Sequence, residues 1–111
     1  MAKNITLTDT VTIASSGTTS TALTMQGGRV PLAIVTPSAL TGTAFTFQAS
    51  ADQGTNFYNL YNEGTQYSVN VGASRYIALN PDAFEGVKVI RIVSGSSEAA
   101  ARTIGIISGE L

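Results

Sequence analysis

The chain has 111 residues, 12% of them charged and 43% hydrophobic, with six Lys or Arg, seven Asp or Glu and a formal net charge of −1. It contains no cysteine, histidine or tryptophan, which removes disulfides, thiolate and imidazole chemistry and the usual zinc ligands. The length fits a single domain over 1–111 that can bury a core unaided, and the bases Lys3, Arg29, Arg75, Lys88, Arg91 and Arg102 are too scattered to form a phosphate-binding run.

The first segment alternates with period two: Ile5, Leu7, Val11 and Ile13 fall on one face, and Thr6, Thr8, Thr10 and Thr12 on the other. That spacing of β-branched residues predicts a half-buried strand. Asp9 interrupts the apolar face, which a bulge or a charge guarding a sheet edge would explain. Ser15 to Ser20 reads as a loop, Thr21 to Met25 as a short strand and Gln26-Gly27-Gly28 as a turn. Arg29 to Val35 is the next strand, which Pro31 assigns to an edge or a strand start. Pro37 to Gly42 connects onward.

Ala44 to Ala51 sets Phe45, Phe47, Ala49 and Ala51 against Thr46, Gln48 and Ser50. The loop Asp52 to Asn56 then leads to Phe57–Tyr61, so the two runs predict a β-hairpin. Asn62-Glu63-Gly64 is a turn, and strands follow over Tyr67 to Val71 and Arg75 to Leu79. Asn80 followed by Pro81 predicts one helical turn near 81–85, ended by Gly86. Val87 to Val93 is apolar on both faces apart from Lys88 and Arg91, as in a central strand. Ser94 to Ala101 loops out, and Thr103 to Ser108 is the last strand. About eight short strands with almost no helix predict an all-β fold: an antiparallel β-sandwich, jelly-roll-like.

Chemistry is scarce. The acids other than Asp9 fall in turns, loops or the terminus, where solvated carboxylates belong, and no base–nucleophile pair has a motif around it. The expectation is no enzyme, no cofactor and no metal. Asp52-x-Gly54-x-Asn56 has a faint likeness to a calcium loop but lacks its further acids, and a hairpin turn held by Asp and Asn side chains explains it better. Tyr58, Tyr61, Tyr67 and Tyr76 crowd one region. They suit cross-strand support better than a platform for carbohydrate or protein contact, because Tyr58 and Tyr61 are not two apart and cannot share a strand face without a bulge. The longest unbroken apolar run, Val30 to Val35, is far short of a membrane span, and the start carries no apolar leader segment. The charged fraction is about half the ~25% usual for soluble domains, and 15 Thr and 11 Ser take its place. Neutral hydroxyl surfaces desolvate more cheaply than charged ones, so the composition predicts a surface largely covered in an assembly.

The run Phe45–Asp52, with Phe57-Tyr58, Leu60-Tyr61, Tyr67-Ser68-Val69, Ala73–Leu79, Phe84-x-Gly86-Val87, Ile92 and Ser94-Gly95, resembles small proteins of tailed-phage structural modules. Over roughly residues 44–107 it resembles the capsid decoration (cement or staple) proteins of short-tailed phages of the epsilon-15 type. The resemblance implies a non-enzymatic protein bound to the major capsid protein outside the shell, bridging neighbouring subunits as a dimer or trimer. It implies synthesis in the bacterial cytoplasm and residence in the virion, with no nucleic acid or membrane partner. The alternatives are a carbohydrate- or receptor-binding module of a phage tail or fibre, or a head–tail connector component. The contact candidates are Ile5, Thr6, Leu7, Thr8, Thr10 and Thr12 on the first strand, Asp52 and Asn56 in the hairpin loop, and Tyr58 and Tyr61 beyond it. The loop Ser94 to Ala101 joins them.

Overall fold

The computed structural model describes residues 6–25 and 27–109. Strands β1 (Thr6–Ile13), β3 (Val30–Val35), β9 (Tyr76–Ala78) and β11 (Arg102–Gly109) form one sheet, in the order β1-β11-β3-β9. Strands β2 (Leu23–Thr24), β10 (Val89–Ser94), β4 (Ala44–Ser50) and β5 (Tyr58–Asn59) form the second in that order, with β8 (Ser68–Asn70) also pairing β4. Strands β6 (Tyr61–Asn62) and β7 (Thr65–Gln66) make a separate hairpin, and η1 (Pro81–Phe84) is a 3-10 turn. All pairings are antiparallel.

Successive strands alternate between the sheets except from β4 to β8, where the chain stays beside β4, and the first and last strands pair with each other. This wrapped order is that of a jelly roll, with β5 and β8 sharing the one place beside β4. The molecule is an antiparallel β-sandwich, as expected. Eleven short strands replace the expected eight because the chain from 58 to 70 is broken into pieces.

The core is built where the apolar alternation predicts it. Val11 and Ile13 of β1, Ile34 of β3, Phe45 and Phe47 of β4, Ile90 and Ile92 of β10, and Ile104 and Ile106 of β11 are all buried between the sheets. Phe47, Phe84 and Tyr67 meet as an aromatic triad, with centroids 5.2 to 5.6 Å apart and two of the three contacts edge-on, the geometry that ring quadrupoles favour. The Tyr67 hydroxyl accepts the Asn80 N–H at 2.9 Å. Asn80 in turn caps η1 by accepting the Asp82 N–H. Pro81 opens the turn, and Gly86 leaves it at φ 79°, a conformation that disfavours a Cβ.

Two positions choose between alternatives that the sequence left open, and three details differ from its expectation. The β1–β11 register runs unbroken past Asp9, which sits at a sheet edge and in no bulge. Pro31 is the second residue of β3, at the strand start that the sequence allows, while the strand itself is central, between β11 and β9. It is accommodated by the register shift opposite Ser108, where a ladder N–H is not required. The expected strand from Thr21 to Met25 shortens to Leu23–Thr24. The run from Phe57 to Tyr61 breaks at Leu60, whose N–H turns to the Phe47 carbonyl and whose carbonyl receives the Tyr67 N–H. Finally, the inward alternation of β4 slips at its end, so that Ser50 is buried and Ala49 is partly exposed.

Candidate functional site

Pairing register assigns the side chains of the first sheet to two faces. The row Asp9–Ile106–Ile34–Ile77 lies on the core side, where Ile106 and Ile34 are fully buried. The rows on the opposite face are Thr10–Gly105–Val35–Tyr76 and Thr8–Ile107–Ala33–Ala78, extended by Thr12–Thr103. No charged side chain interrupts them. The outer face is therefore a broad field of hydroxyl, methyl and phenol groups, with Thr8, Thr10, Thr103, Ala78 and Tyr76 exposed. Its desolvation cost is low for a surface of this size.

This face ends at β1, whose partner in the sheet is β11 and whose other margin, among the described residues, is met only at its C-terminal end, by residues 20–21. The direction of its backbone groups follows from one contact. The Thr12 N–H donates to Thr21 Oγ1 at 3.1 Å, and the Thr12 carbonyl accepts the Thr21 N–H at 3.0 Å. Both Thr12 groups thus point away from β11. In a strand the groups of residues i and i−2 share a direction, so those of Thr10, Thr8 and Thr6 also point outward. The close approach of Thr12 Oγ1 and Thr103 Oγ1, 3.4 Å, agrees with a non-hydrogen-bonded pair there. Among the described residues, nothing meets the backbone of Thr8 or Thr10 on this side. Leu7, 39% exposed, is the one aliphatic side chain among the exposed large hydrophobics.

The other end of the strand order carries a different surface. Tyr58 on β5 and Tyr61 on β6 are 67% and 58% exposed. On the outer face of the same sheet, opposite to the row Ile90–Ala49–Tyr58, runs a polar chain: Arg91 Nε donates to Gln48 Oε1 at 2.7 Å, and Gln48 Nε2 donates to Asn59 Oδ1 at 3.0 Å. The Arg91 guanidinium also lies 4.0 Å above the Phe57 ring centroid, a cation–π contact. The hairpin β6–β7 turns through Glu63 and Gly64, both at positive φ, as a two-residue I′ turn requires.

The loop after β4 is closed by Asp52. Its Oδ1 accepts the Asn56 N–H at 2.8 Å and the Ser50 hydroxyl at 2.7 Å, and its Oδ2 accepts the Asn56 amide at 2.7 Å. The Asn56 N–H above all, then Ser50 and the Asn56 amide, hold the Asp52 carboxyl down at about 2. Its oxygens serve the turn, in line with the hairpin reading over a calcium loop.

Glu98 was expected to be a solvated loop acid, and it is buried. Its Oε1 accepts the Thr41 N–H at 2.8 Å and Arg102 Nε at 3.0 Å, while Oε2 accepts the Gly42 N–H at 2.9 Å and the Ser94 hydroxyl at 2.8 Å. Desolvation acts to raise its pKa. The Thr41 N–H, the Ser94 hydroxyl, the Gly42 N–H and Arg102 outweigh it and hold the carboxyl at about 2. The loop Ser94 to Ala101 is therefore pinned at its centre, although Gly95, Ser96, Ser97 and residues 99–101 remain exposed. Ser94 itself ends β10 and is buried.

The predicted contact residues thus fall into two groups that the fold does not unite. Thr6, Leu7, Thr8, Thr10 and Thr12 share the β1 edge, whereas Asp52, Asn56, Tyr58 and Tyr61 lie beyond β4 at the opposite end of the second sheet. Ile5 lies outside the described residues. Tyr76, 68% exposed on the uncharged face, is absent from the sequence-derived candidates. Its alternation with Ile77 and Leu79, both turned inward, carries the signal that would have found it.

Comparison with solved structures supports the fold. The chain is similar to the SPBc2 prophage-derived protein YomS, at 15% identity, a TM-score of 0.55 and 97% coverage of each chain. Weaker likenesses are to a chitosan-binding module of a Paenibacillus sp. IK-5 chitosanase/glucanase (15% identity, TM-score 0.44, 90% of this chain and 75% of the module), and to the Yersinia pseudotuberculosis-derived mitogen (14% identity, TM-score 0.39, 97% and 87%). At such identities the likeness to YomS is one of architecture, and the other two carry no argument. Neither protein-family models nor curated protein sequences give a match.

Proposed function

We propose that this protein is a non-enzymatic component of a tailed-phage particle, a decoration protein that binds the outside of the major capsid shell and bridges neighbouring subunits. The observation that carries the reading is the uncharged outer face of the first sheet, continuous with the open β1 edge. A protein covered in its working state needs no charge on the covered side, and an open edge supplies backbone hydrogen bonds to a capsid strand or to another copy. The sequence resemblance to epsilon-15-type decoration proteins and the architectural likeness to a prophage-derived protein point the same way. A small oligomer touching several shell subunits needs only modest affinity at each contact, because linked contacts gain through effective concentration.

Co-sedimentation with empty capsids tests the proposal. Binding that is retained in Tyr58→Ala and Tyr61→Ala but weakened by Thr8→Glu and Thr10→Glu, both exposed on the uncharged face, is the expected result. Absence of binding, with the chain folded, overturns it.

One observation favours a second reading, a carbohydrate- or receptor-binding module of a tail or fibre: Tyr58 and Tyr61 place most of their ring surface in solvent. Selective glycan-array binding that is lost in Tyr58→Ala or Tyr61→Ala would establish it. A connector role predicts a ring at a single vertex, which copy number per virion distinguishes from both.

A further inference from the structure

We propose that Arg75 is a receptor for a carboxylate, held at the rim of the uncharged face to pair with an aspartate or glutamate side chain of the shell protein that covers it. The first observation is a guanidinium fixed in place without a partner. Arg102 is paired with Glu98, Arg91 with Gln48 and the Phe57 ring, and Arg29 is engaged as well. The Arg75 side chain is exposed and, among the described residues, makes no hydrogen bond or ion pair.

Its position is set by a glycine. A Cβ built on Gly72 would stand 2.8 Å from Arg75 Cζ, 2.9 Å from Nε and 3.1 Å from Nη2. Three guanidinium atoms at nearly equal distance mean that the plane of the group lies against the bare Cα of Gly72. The loop beneath it is tied down. Thr36, itself buried, donates from Oγ1 to the Gly72 carbonyl at 2.6 Å and accepts the Arg75 N–H at 2.8 Å. The Thr36 N–H donates to the Arg75 carbonyl at 2.9 Å, and the Ser74 N–H to the Pro37 carbonyl at 2.8 Å. A guanidinium arranged in this way gives up little further freedom when it binds.

The second observation is its neighbour. Tyr76, the next residue, is 68% exposed and ends the row Thr10–Gly105–Val35–Tyr76 of the uncharged face. Arginine and tyrosine are enriched among the contacts that dominate binding. A protein laid over this face and Tyr76 takes water from Arg75 at its margin. A covered charge left without a counter-charge is strongly unfavourable, so the partner must bring an anion. A planar carboxylate matches two parallel N–H groups of the guanidinium fork. The rest of the face carries no charge to oppose, so the fitting partner surface is neutral around one acid.

The identity of the partner rests on the capsid reading, whereas the site itself can be tested on the purified chain. In proton–nitrogen NMR of the arginine side chains, sodium acetate is expected to shift the Arg75 Nε–H signal saturably, and sodium chloride at equal concentration to leave it in place. Arg102 Nε, which already donates to Glu98, should follow neither salt. Gly72→Ala should weaken the acetate response severalfold. Gly72 does not adopt a positive φ, and the atoms nearest the new Cβ all belong to the Arg75 side chain. The variant therefore displaces the guanidinium while keeping both the fold and the charge. An Arg75 signal that ignores acetate, or moves equally in chloride, overturns the proposal.

Co-sedimentation with empty capsids tests the source of the carboxylate. Arg75→Gln and Gly72→Ala should each weaken binding about tenfold. Arg75→Lys, which keeps the charge but loses the fork, should weaken it nearly as much. Capsid binding unchanged in all three variants overturns the shell protein as the partner. A wild type that takes acetate at Arg75 and binds no capsid refutes the capsid reading and upholds the carboxylate site.

Discussion

The loop after β4 and the loop after β10 are each organised around one carboxylate, and each carboxylate is held at a pKa of about 2. They differ in what surrounds them. Asp52 stands in water and collects donors from its own turn, Ser50 and Asn56. Glu98 is buried and collects donors from three distant stretches of chain: Thr41 and Gly42, Ser94, and Arg102. An exposed carboxylate that is lost is replaced by solvent. A buried one leaves its donors with nothing, and an unpaired buried donor or charge is among the costliest defects a fold can carry.

The largest test of this contrast is Glu98→Gln. The amide keeps one acceptor oxygen, so its NH2 must face either the Thr41 N–H with Arg102 or the Gly42 N–H, and the negative charge opposite Arg102 is lost. The expected loss is about 3–5 kcal/mol in urea unfolding, enough to threaten the fold of a domain this size.

Acid is the next test. Glu98 ionises more readily folded than unfolded, so its contribution is complete above its ordinary value of 4.5 and disappears as the pH falls toward about 2. Thermal melts of wild type should lose on the order of 3 kcal/mol across that window. The gap between wild type and Glu98→Gln should narrow over the same range.

Gly42→Ala comes third. A Cβ at this position would collide with Ser94 Oγ and come within 3.1 Å of Glu98 Oε2. Two ligands would have to move, with an expected cost of about 2 kcal/mol by chemical denaturation. The smallest effect belongs to Asp52→Asn, whose urea midpoint should lie close to that of wild type. Hydrogen exchange at the Asn56 amide should nonetheless quicken, because that N–H loses a charged acceptor. A large global loss here would refute the contrast.

The elements legible in the sequence are those whose signal is local. The alternation of Val11 and Ile13, of Phe45 and Phe47, and of Ile104 and Ile106 places the core residues of three strands without any knowledge of their neighbours. The Asn80-Pro81 cap and the Glu63-Gly64 turn are likewise local. Glu98 was not legible: its role depends on N–H groups 56 and 57 residues away, and no spacing rule connects them. Pro31 marks a strand start locally, but that the strand is a central one depends on an irregularity in its partner, which no local signal shows. At the candidate surface, the threonine face of β1 could be read from its alternation. The directions of the β1 backbone groups required the Thr12–Thr21 contact, and the full width of the uncharged face required the register of four strands.

The pairing of β1 with β11 also governs how the domain comes together. Thr12 faces Thr103 across a separation of 91 residues, so adding the edge strand to the first sheet means joining the two ends of the domain. Contacts of such long separation are entropically expensive to make early, and all-β topologies rich in them fold in milliseconds to seconds. Until that closure, Val11 and Ile13 lack the Ile104 side of the core, and the strand that later presents the open edge is exposed along both of its margins. The same pairing sets Thr6 opposite Gly109. A peptide fused ahead of the one or behind the other would therefore emerge from a single corner of the sandwich.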